Sequence, residues 1–261
     1  MKRIRKDLLI EKNQIENTLN EKRILMSNDN PFLLSMHYCY QSDYRLYFFM
    51  DFVQGGDLYV NMFKAKRFNE EQVKFYAAQL IIAFATLHRN KIIHRDLKAE
   101  NVLLREDGYI VLADFGLAKV LDNTWDITYT QCGTSEYLSP EVIKGGAQSF
   151  TVDWWTLGIL WYELIWGRTP YKTPGSRSRK IVWPDPKRHK IYISDEMKDF
   201  IIKLLDTDAD TRLGVKGPQQ VMNHRWFKGI DFEEIINREY KPTYMPEIED
   251  FEDEEKYLLN R

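Results

Sequence analysis

Two short polar motifs, their aspartates eighteen residues apart, constrain this chain more than any other feature. H-R-D-L-K-A-E-N runs from His94 to Asn101, and A-D-F-G follows with Asp114 at its centre. Between them lie Val102-Leu103-Leu104 and a turn signal at Asp107–Gly108. A bare D-x-x-x-x-N carries almost no information, and a polar turn between two strands would explain either motif alone. It does not explain both at this separation.

The composition suits a large core. At 261 residues, 44% hydrophobic and 14% aromatic, the chain can form one large domain or two lobes and lies far from the disordered regime. A net charge of −2 argues against a general nucleic-acid or membrane-surface binder. Cys39 and Cys132 give neither a disulfide framework nor zinc-ligand spacing, which points to a reducing intracellular setting. The opening MKRIRKDLLIEKN has no sustained apolar run and does not read as a signal peptide. Val152 to Ile165 is the longest apolar stretch; it is shorter than the ~20 residues of a spanning helix and carries Asp153 and Glu163. A soluble protein is expected.

Taken together, HRDLKAEN, the V-L-L strand and turn, and DFG resemble the protein kinases. The resemblance implies a bilobal α+β fold with ATP and Mg²⁺ as cofactors. In it Asp96 receives the proton of a substrate hydroxyl, Lys98 offsets charge on the transferring phosphoryl, and Asn101 and Asp114 hold the metal. Lys98 and Thr134, the latter in T-S-E, resemble serine/threonine rather than tyrosine kinases. The segment TLNEKRIL, Thr18 to Leu25, is similar to the AGC group, and so is DWWTLGILWYEL, Asp153 to Leu164. TQCGTSEYLSPE matches that group at nine of twelve positions, departing at Gln131, Ser135 and Ser139.

Further site residues follow from the resemblance. A lysine beside Met1 is by itself an ordinary charged terminus, but Lys2 precedes Glu21 at the spacing of the kinase pair that contacts the nucleotide phosphates. Met50 falls at the position behind the adenine, while Asp51 and Val53 offer backbone bonds to its edge. Asp57, Glu100 and Leu103 complete the implied ATP-binding set. Thr130 is the implied activating phosphosite, its phosphate pairing with Arg95 and Lys119; a plain exposed threonine is the alternative. Asp57, Glu100 and Glu163 fall where basic-directed kinases place acids against arginines preceding the acceptor. Ribose binding alone for the first two, and a helix-end salt bridge for Glu163, stay open. Thr134 belongs to the substrate-binding set, and Gln131 and Ser135 make the pocket after the acceptor polar. Arg212 implies a pair with Glu141, and Asp153 implies a tie to the H-R-D loop.

Periodicity supplies the frame. Asn69 followed by Glu70 and Glu71 reads as a capped helix start, with Val73, Tyr76, Ala77, Leu80, Phe84 and Leu87 on one face. Thr151 to Gly167 is apolar all round, as a core helix should be. Ser194 opens a capping-box-like helix with Met197, Phe200, Ile201 and Leu204 inward. Ile15, Leu19 and Leu25 fit one side of a helix.

Two regions depart from the family. The glycine-rich hairpin that kinases carry before the lysine is not in the sequence, so residues 1–53 are expected to form a truncated N-lobe. In that reading two strands and most of a third are missing, and the pair around Leu34–Tyr40 and Tyr44–Phe49 is left with an unpaired edge. Residues 54–229 form the C-lobe, and 230–261 a partial AGC tail with Phe251 as its aromatic. Between Pro170 and Pro184, Pro174 and Gly175 preclude the family's further helix. The basic cluster Arg177, Arg179, Lys180, Lys187 and Arg188 reads as a solvated loop rather than a nucleic-acid patch. Two functions remain: a cytoplasmic or nuclear Ser/Thr kinase acting on proteins with basic residues before the acceptor and served by an upstream activating kinase, or a non-catalytic pseudokinase scaffold or fragment of a longer kinase.

Overall fold

In the computed structural model, which describes residues 1–123, 126–171 and 181–248, the chain opens with a strand. This strand, β1 (Lys2–Arg5), leads into α1 (Lys6–Glu11), α2 (Ile15–Ser27), β2 (Met36–Gln41) and β3 (Arg45–Met50). The sheet runs β1-β3-β2, all antiparallel, with Lys2 opposite Phe48 and Cys39 opposite the same Phe48. The expected two-stranded arrangement is therefore corrected. Backbone pairing continues for three residues past Lys2, and β3 lies in the middle of the sheet rather than at its edge.

The side of α2 turned to the protein is also not the expected one. Thr18, Asn20, Glu21, Ile24 and Leu25 are buried, whereas Ile15 and Leu19 are about half exposed. A charged pair at Glu21 sets the helix rotation, so three apolar residues at helical spacing do not define the buried face.

The larger part follows. It contains α3 (Leu58–Lys64), α4 (Glu70–Arg89), β4 (Ile92–Ile93), β5 (Val102–Leu104), β6 (Ile110–Leu112), β7 (Lys119–Val120), α5 (Pro140–Ile143) and α6 (Thr151–Trp166). Asn69 caps α4 through a full capping box with Gln72, and the six expected inward residues are all buried. α6 is buried along Thr151–Ile165 and ends at Gly167 in the left-handed conformation. β5 and β6 pair across the turn foreseen at Asp107–Gly108, and short β4 pairs with β7. The H-R-D and D-F-G motifs thus lie between these two short strand pairs, beside α4.

Four short or amphipathic helices close the large part: α7 (Pro186–His189), α8 (Asp195–Leu204), α9 (Pro218–Met222) and α10 (Phe232–Ile236). Ser194 caps α8 by accepting from the Met197 amide, but the reciprocal capping-box bond is not made. Met197 stands where a Glu or Gln would reach back. The Ser194 amide and hydroxyl donate instead to Glu70 of α4, at 2.7 and 2.5 Å, and Trp226 Nε1 donates to the same carboxylate at 2.9 Å. Arg212, fully buried, forks onto Glu141 at 2.6 and 2.9 Å and also donates to the Thr151 carbonyl. Residues 238–246 then lie back along α3 and α4. Pro174, Gly175, Arg177, Arg179, Lys180 and Phe251 fall outside the described residues. Among the described residues no helix is long and apolar enough to cross a membrane.

Candidate active site

The H-R-D loop is held from below. Asp153, fully buried in α6, accepts from the His94 amide at 3.0 Å, the Arg95 amide at 2.9 Å and His88 Nε2 at 2.8 Å. A buried carboxylate needs such partners, and here they fix the backbone that carries Asp96. His88, on the last turn of α4, is the partner that motif reading missed. Its only signal was a polar residue on an otherwise apolar helical face.

Around Asp96 four groups converge. Oδ1 accepts from the Thr134 amide at 3.0 Å and from its hydroxyl at 2.7 Å. Lys98 Nζ lies 3.3 Å from Oδ2 and 3.2 Å from the Thr134 hydroxyl. Asn101 Nδ2 donates to the Asp96 carbonyl at 2.7 Å, which commits its amide nitrogen and leaves Oδ1 as its remaining acceptor. The Ala113 amide donates to the Asn101 carbonyl at 2.8 Å, so β6 delivers Asp114 alongside. Asp114 is exposed, and one of its oxygens accepts from the Gly116 amide. Arg95 and Asp114 both adopt left-handed backbone, φ 68° and 59°. Non-glycine residues are held there at a cost of about 1–3 kcal/mol, a pattern that concentrates at functional sites. The oxygens of Asn101 and Asp114 are hard donors suited to Mg²⁺.

Lys2 Nζ meets Glu21 Oε1 at 2.5 Å, joining β1 to α2 as expected. The connector after β3 is stitched to β5: the Gly55 amide donates to the Leu104 carbonyl at 3.0 Å, and the Leu104 amide to the Gly56 carbonyl at 2.8 Å. Asp57 bridges to Leu103, which is half-buried, and its side chain caps α3 by accepting from the Val60 amide. Asp51 turns its side chain to His37 at 2.6 Å, so what it can offer a ligand is backbone. Met50 and Val53 are half-buried along the same connector, and Glu100 is exposed beside Asn101.

Thr130 is exposed. Arg95 donates through Nε to the Leu117 carbonyl, while its buried Nη1 has no acceptor among the described residues. Lys119 lies 3.4 Å from Glu16 of α2. Gln131 does not face outward as a free polar side chain; its amide donates to the Val142 carbonyl at 3.0 Å. Ser135 donates to Glu136 at 2.7 Å. Glu163 has a hydroxyl partner, Tyr137, in place of the alternative of a helix-end salt bridge. Burial pushes its carboxyl up, aided by the charges of Glu100 and Glu136 and opposed by the Tyr137 bond. Three carboxylates therefore share this neighbourhood.

The sequence matches the description of the protein kinase domain over residues 1–227. It is 41% identical over 250 residues to "Protein kinase 2" of Dictyostelium discoideum, covering 95% of this chain and 52% of the relative. To "Serine/threonine-protein kinase AtPK1/AtPK6" of Arabidopsis thaliana it is 36% identical over 250 residues, 95% of this chain and 54% of the relative. To "Serine/threonine-protein kinase YPK1" of Saccharomyces cerevisiae it is 36% identical over 249 residues, 95% and 37% respectively. The chain spans about half the length, or less, of the curated relatives it matches.

Proposed function

The chain belongs to the protein kinase family, with AGC-type serine/threonine kinases among its relatives, and on that premise we propose that it transfers the γ-phosphate of ATP to serine or threonine hydroxyls of protein substrates. The observation that carries this reading is the Asp96 carboxylate, held by Thr134 and flanked by Lys98 and Asn101. So held, Asp96 is oriented to accept a proton from an incoming hydroxyl, and Lys98 to offset charge on the phosphoryl oxygens. Asn101 and Asp114 would hold Mg²⁺, which would supply neutralisation of the phosphate charge. Lys2, steadied by Glu21, contacts the phosphates. Met50, Asp51, Val53 and Leu103 surround the adenine, and Asp57 and Glu100 meet the ribose. Residues 1–53 and 54–229 act as the two lobes, and 230–261 as the tail.

Thr130 serves as the activating phosphosite, modified by an upstream kinase. The Nη1 of Arg95, without an acceptor among the described residues, supports this, because a phosphate would give it one; Lys119 would be drawn from its weak contact with Glu16. Substrates carry arginine two or three residues before the acceptor. The neighbouring carboxylates Glu163, Glu100 and Glu136 favour this: burial raises the Glu163 carboxyl, the charges of Glu100 and Glu136 add to it, and a guanidinium would relieve that charge repulsion. Ser135 and Gln131 permit varied residues just after the acceptor. Two free thiols, Cys39 and Cys132, suit a reducing compartment, cytoplasm or nucleus.

The test uses the full chain, radiolabelled ATP with Mg²⁺, and an oriented peptide library with every residue type represented at the positions flanking the acceptor. Transfer is expected, with Asp96→Asn slower by about 10²–10⁴-fold, the usual weight of a general base. Asp114→Asn should be comparably impaired through the metal. No transfer by the unaltered chain, or unchanged turnover in both variants, would overturn the reading. An acidic or proline-directed preference would overturn the substrate class alone.

A further inference from the structure

Gln148 is 1% exposed and lies between α5 and α6, outside every motif discussed above. A buried amide in such a place must have its bonds accounted for. Its backbone forms an antiparallel bridge with Thr128, the Thr128 amide donating to the Gln148 carbonyl at 3.0 Å and the Gln148 amide to the Thr128 carbonyl at 2.9 Å. Its side-chain Nε2 donates to the Thr130 carbonyl at 3.0 Å. On the other side of Thr130, Gln131 reaches the Val142 and Ile143 carbonyls at the end of α5, at 3.0 and 3.4 Å. Two residues further on begins Gly133-Thr134, whose threonine holds Asp96. Thr130 thus presents an exposed side chain on a backbone gripped from both sides.

We propose that Gln148 is a positioning residue: it holds the Thr128–Thr130 backbone so that Thr134 stays on Asp96 before any phosphate is present, with Gln131 as the second grip. The inference deepens the kinase reading and rests on it for the role of Thr130. Three bonds from one residue to Thr128 and Thr130 order the segment through contacts that do not involve Arg95 or Lys119. Phosphorylation then adds to an arrangement already in place, and its effect on turnover is graded rather than all-or-none.

Gln148→Met keeps the approximate volume and both backbone bonds while removing the side-chain amide that donates to Thr130; Gln148→Ala is the harsher companion. Hydrogen–deuterium exchange is followed by mass spectrometry on the dephosphorylated full chain, together with steady-state kinetics on an arginine-containing peptide. In Gln148→Met, amides of residues 127–134 should exchange faster by about tenfold, the size of one buried hydrogen bond, with α6 unchanged. The kcat should fall by a similar factor with the peptide KM within about twofold, and the loss should shrink once Thr130 is phosphorylated. Unchanged exchange in both variants overturns the proposal. So does faster exchange spread through α6, which would make Gln148 a plain core residue. Equal kcat losses with and without phosphate overturn it too. Absence of all transfer with the expected exchange pattern would instead count against the kinase reading, so the two failures are distinguishable.

Discussion

Asp153 illustrates how much one residue can decide. Its carboxylate serves two backbone amides and an imidazole, all buried. Asp153→Ala would leave those donors unpaired, at about 1–3 kcal/mol for each. Urea denaturation should therefore show a loss of several kcal/mol, while Asp153→Asn, keeping one oxygen, should lose clearly less. Equal losses would mean that packing rather than hydrogen bonding dominates there. His94 gives a pH signature in the same place. Burial lowers its tendency to take a proton, against the opposing pull of Asp153, Asp96 and Asp114. In the unfolded chain it protonates near the ordinary value of 6.5. Its contribution is therefore complete above that pH and is lost as pH falls below it, where the unfolded state binds the extra proton. The denaturation midpoint should drop between pH 7 and 5, and less steeply in His94→Phe. His224, also lowered by burial, adds a slope of the same sign that the variant retains. These residues were only partly legible beforehand. Asp96, Lys98, Asn101 and Asp114 sit in local motifs whose spacing is itself the signal. His88, Tyr137 and Gln148 act across 65, 26 and 18 residues, and nothing in their own neighbourhoods announces it.

At the scale of elements, α4 and α6 were readable because their burial follows simple periods: one apolar face, and apolar all round. α2 was readable as a helix but not in its rotation, because its inward face includes Thr18, Asn20 and Glu21, and its exposed Ile15 and Leu19 mimic a core stripe. β1 was expected only as the end of a strand at Lys2, and its continuation to Arg5 was not foreseen for a related reason. Lys-Arg-Ile-Arg has one apolar residue, and only its pairing with β3 makes it a strand. The junction of α5 and α6 is held by Arg212, whose guanidinium forks onto Glu141 and lies over the Trp155 ring at 5.2 Å. Burial raises the Glu141 carboxyl, but the Arg212 bonds more than offset this and hold it below its ordinary value. Arg212→Met should cost about 3–5 kcal/mol, because it strands a largely buried carboxylate. Adding Glu141→Gln should recover part of that loss. A double variant no more stable than Arg212→Met alone would show that the stranded charge is not the cause.

For the whole molecule, the segment after α10 ties the connector of the candidate nucleotide site to the large helical part. Tyr109 donates to the Tyr240 carbonyl at 2.6 Å, Tyr240 stacks on Phe75 at 5.2 Å, and Tyr244 packs edge-on to Phe68. The Tyr244 hydroxyl donates to Asn61, whose own amide donates to the Gly55 carbonyl at 2.6 Å. One chain of contacts therefore runs from the tail through α3 to the connector. The segment also packs tightly on Gly108, where a Cβ would sit 2.8 Å from Pro242 Cβ and from the Tyr244 carbonyl oxygen. Gly108 has φ +80°, so a side chain there also meets the left-handed penalty common to all such positions. Gly167, at φ +70° with no neighbour within 4 Å of a Cβ, isolates that penalty. Gly167→Ala should lose about 1–2 kcal/mol, the backbone term alone. Gly108→Ala should lose a further ~1–3 kcal/mol, the usual cost of forcing atoms into a filled space. The extra cost should be visible as release of the tail, with trypsin cutting faster after Arg238 in Gly108→Ala than in Gly167→Ala. If the tail rests only loosely on α3 and α4, the two variants should match in both stability and cleavage rate. A difference in both would make the tail a structural part of the candidate site's outer wall.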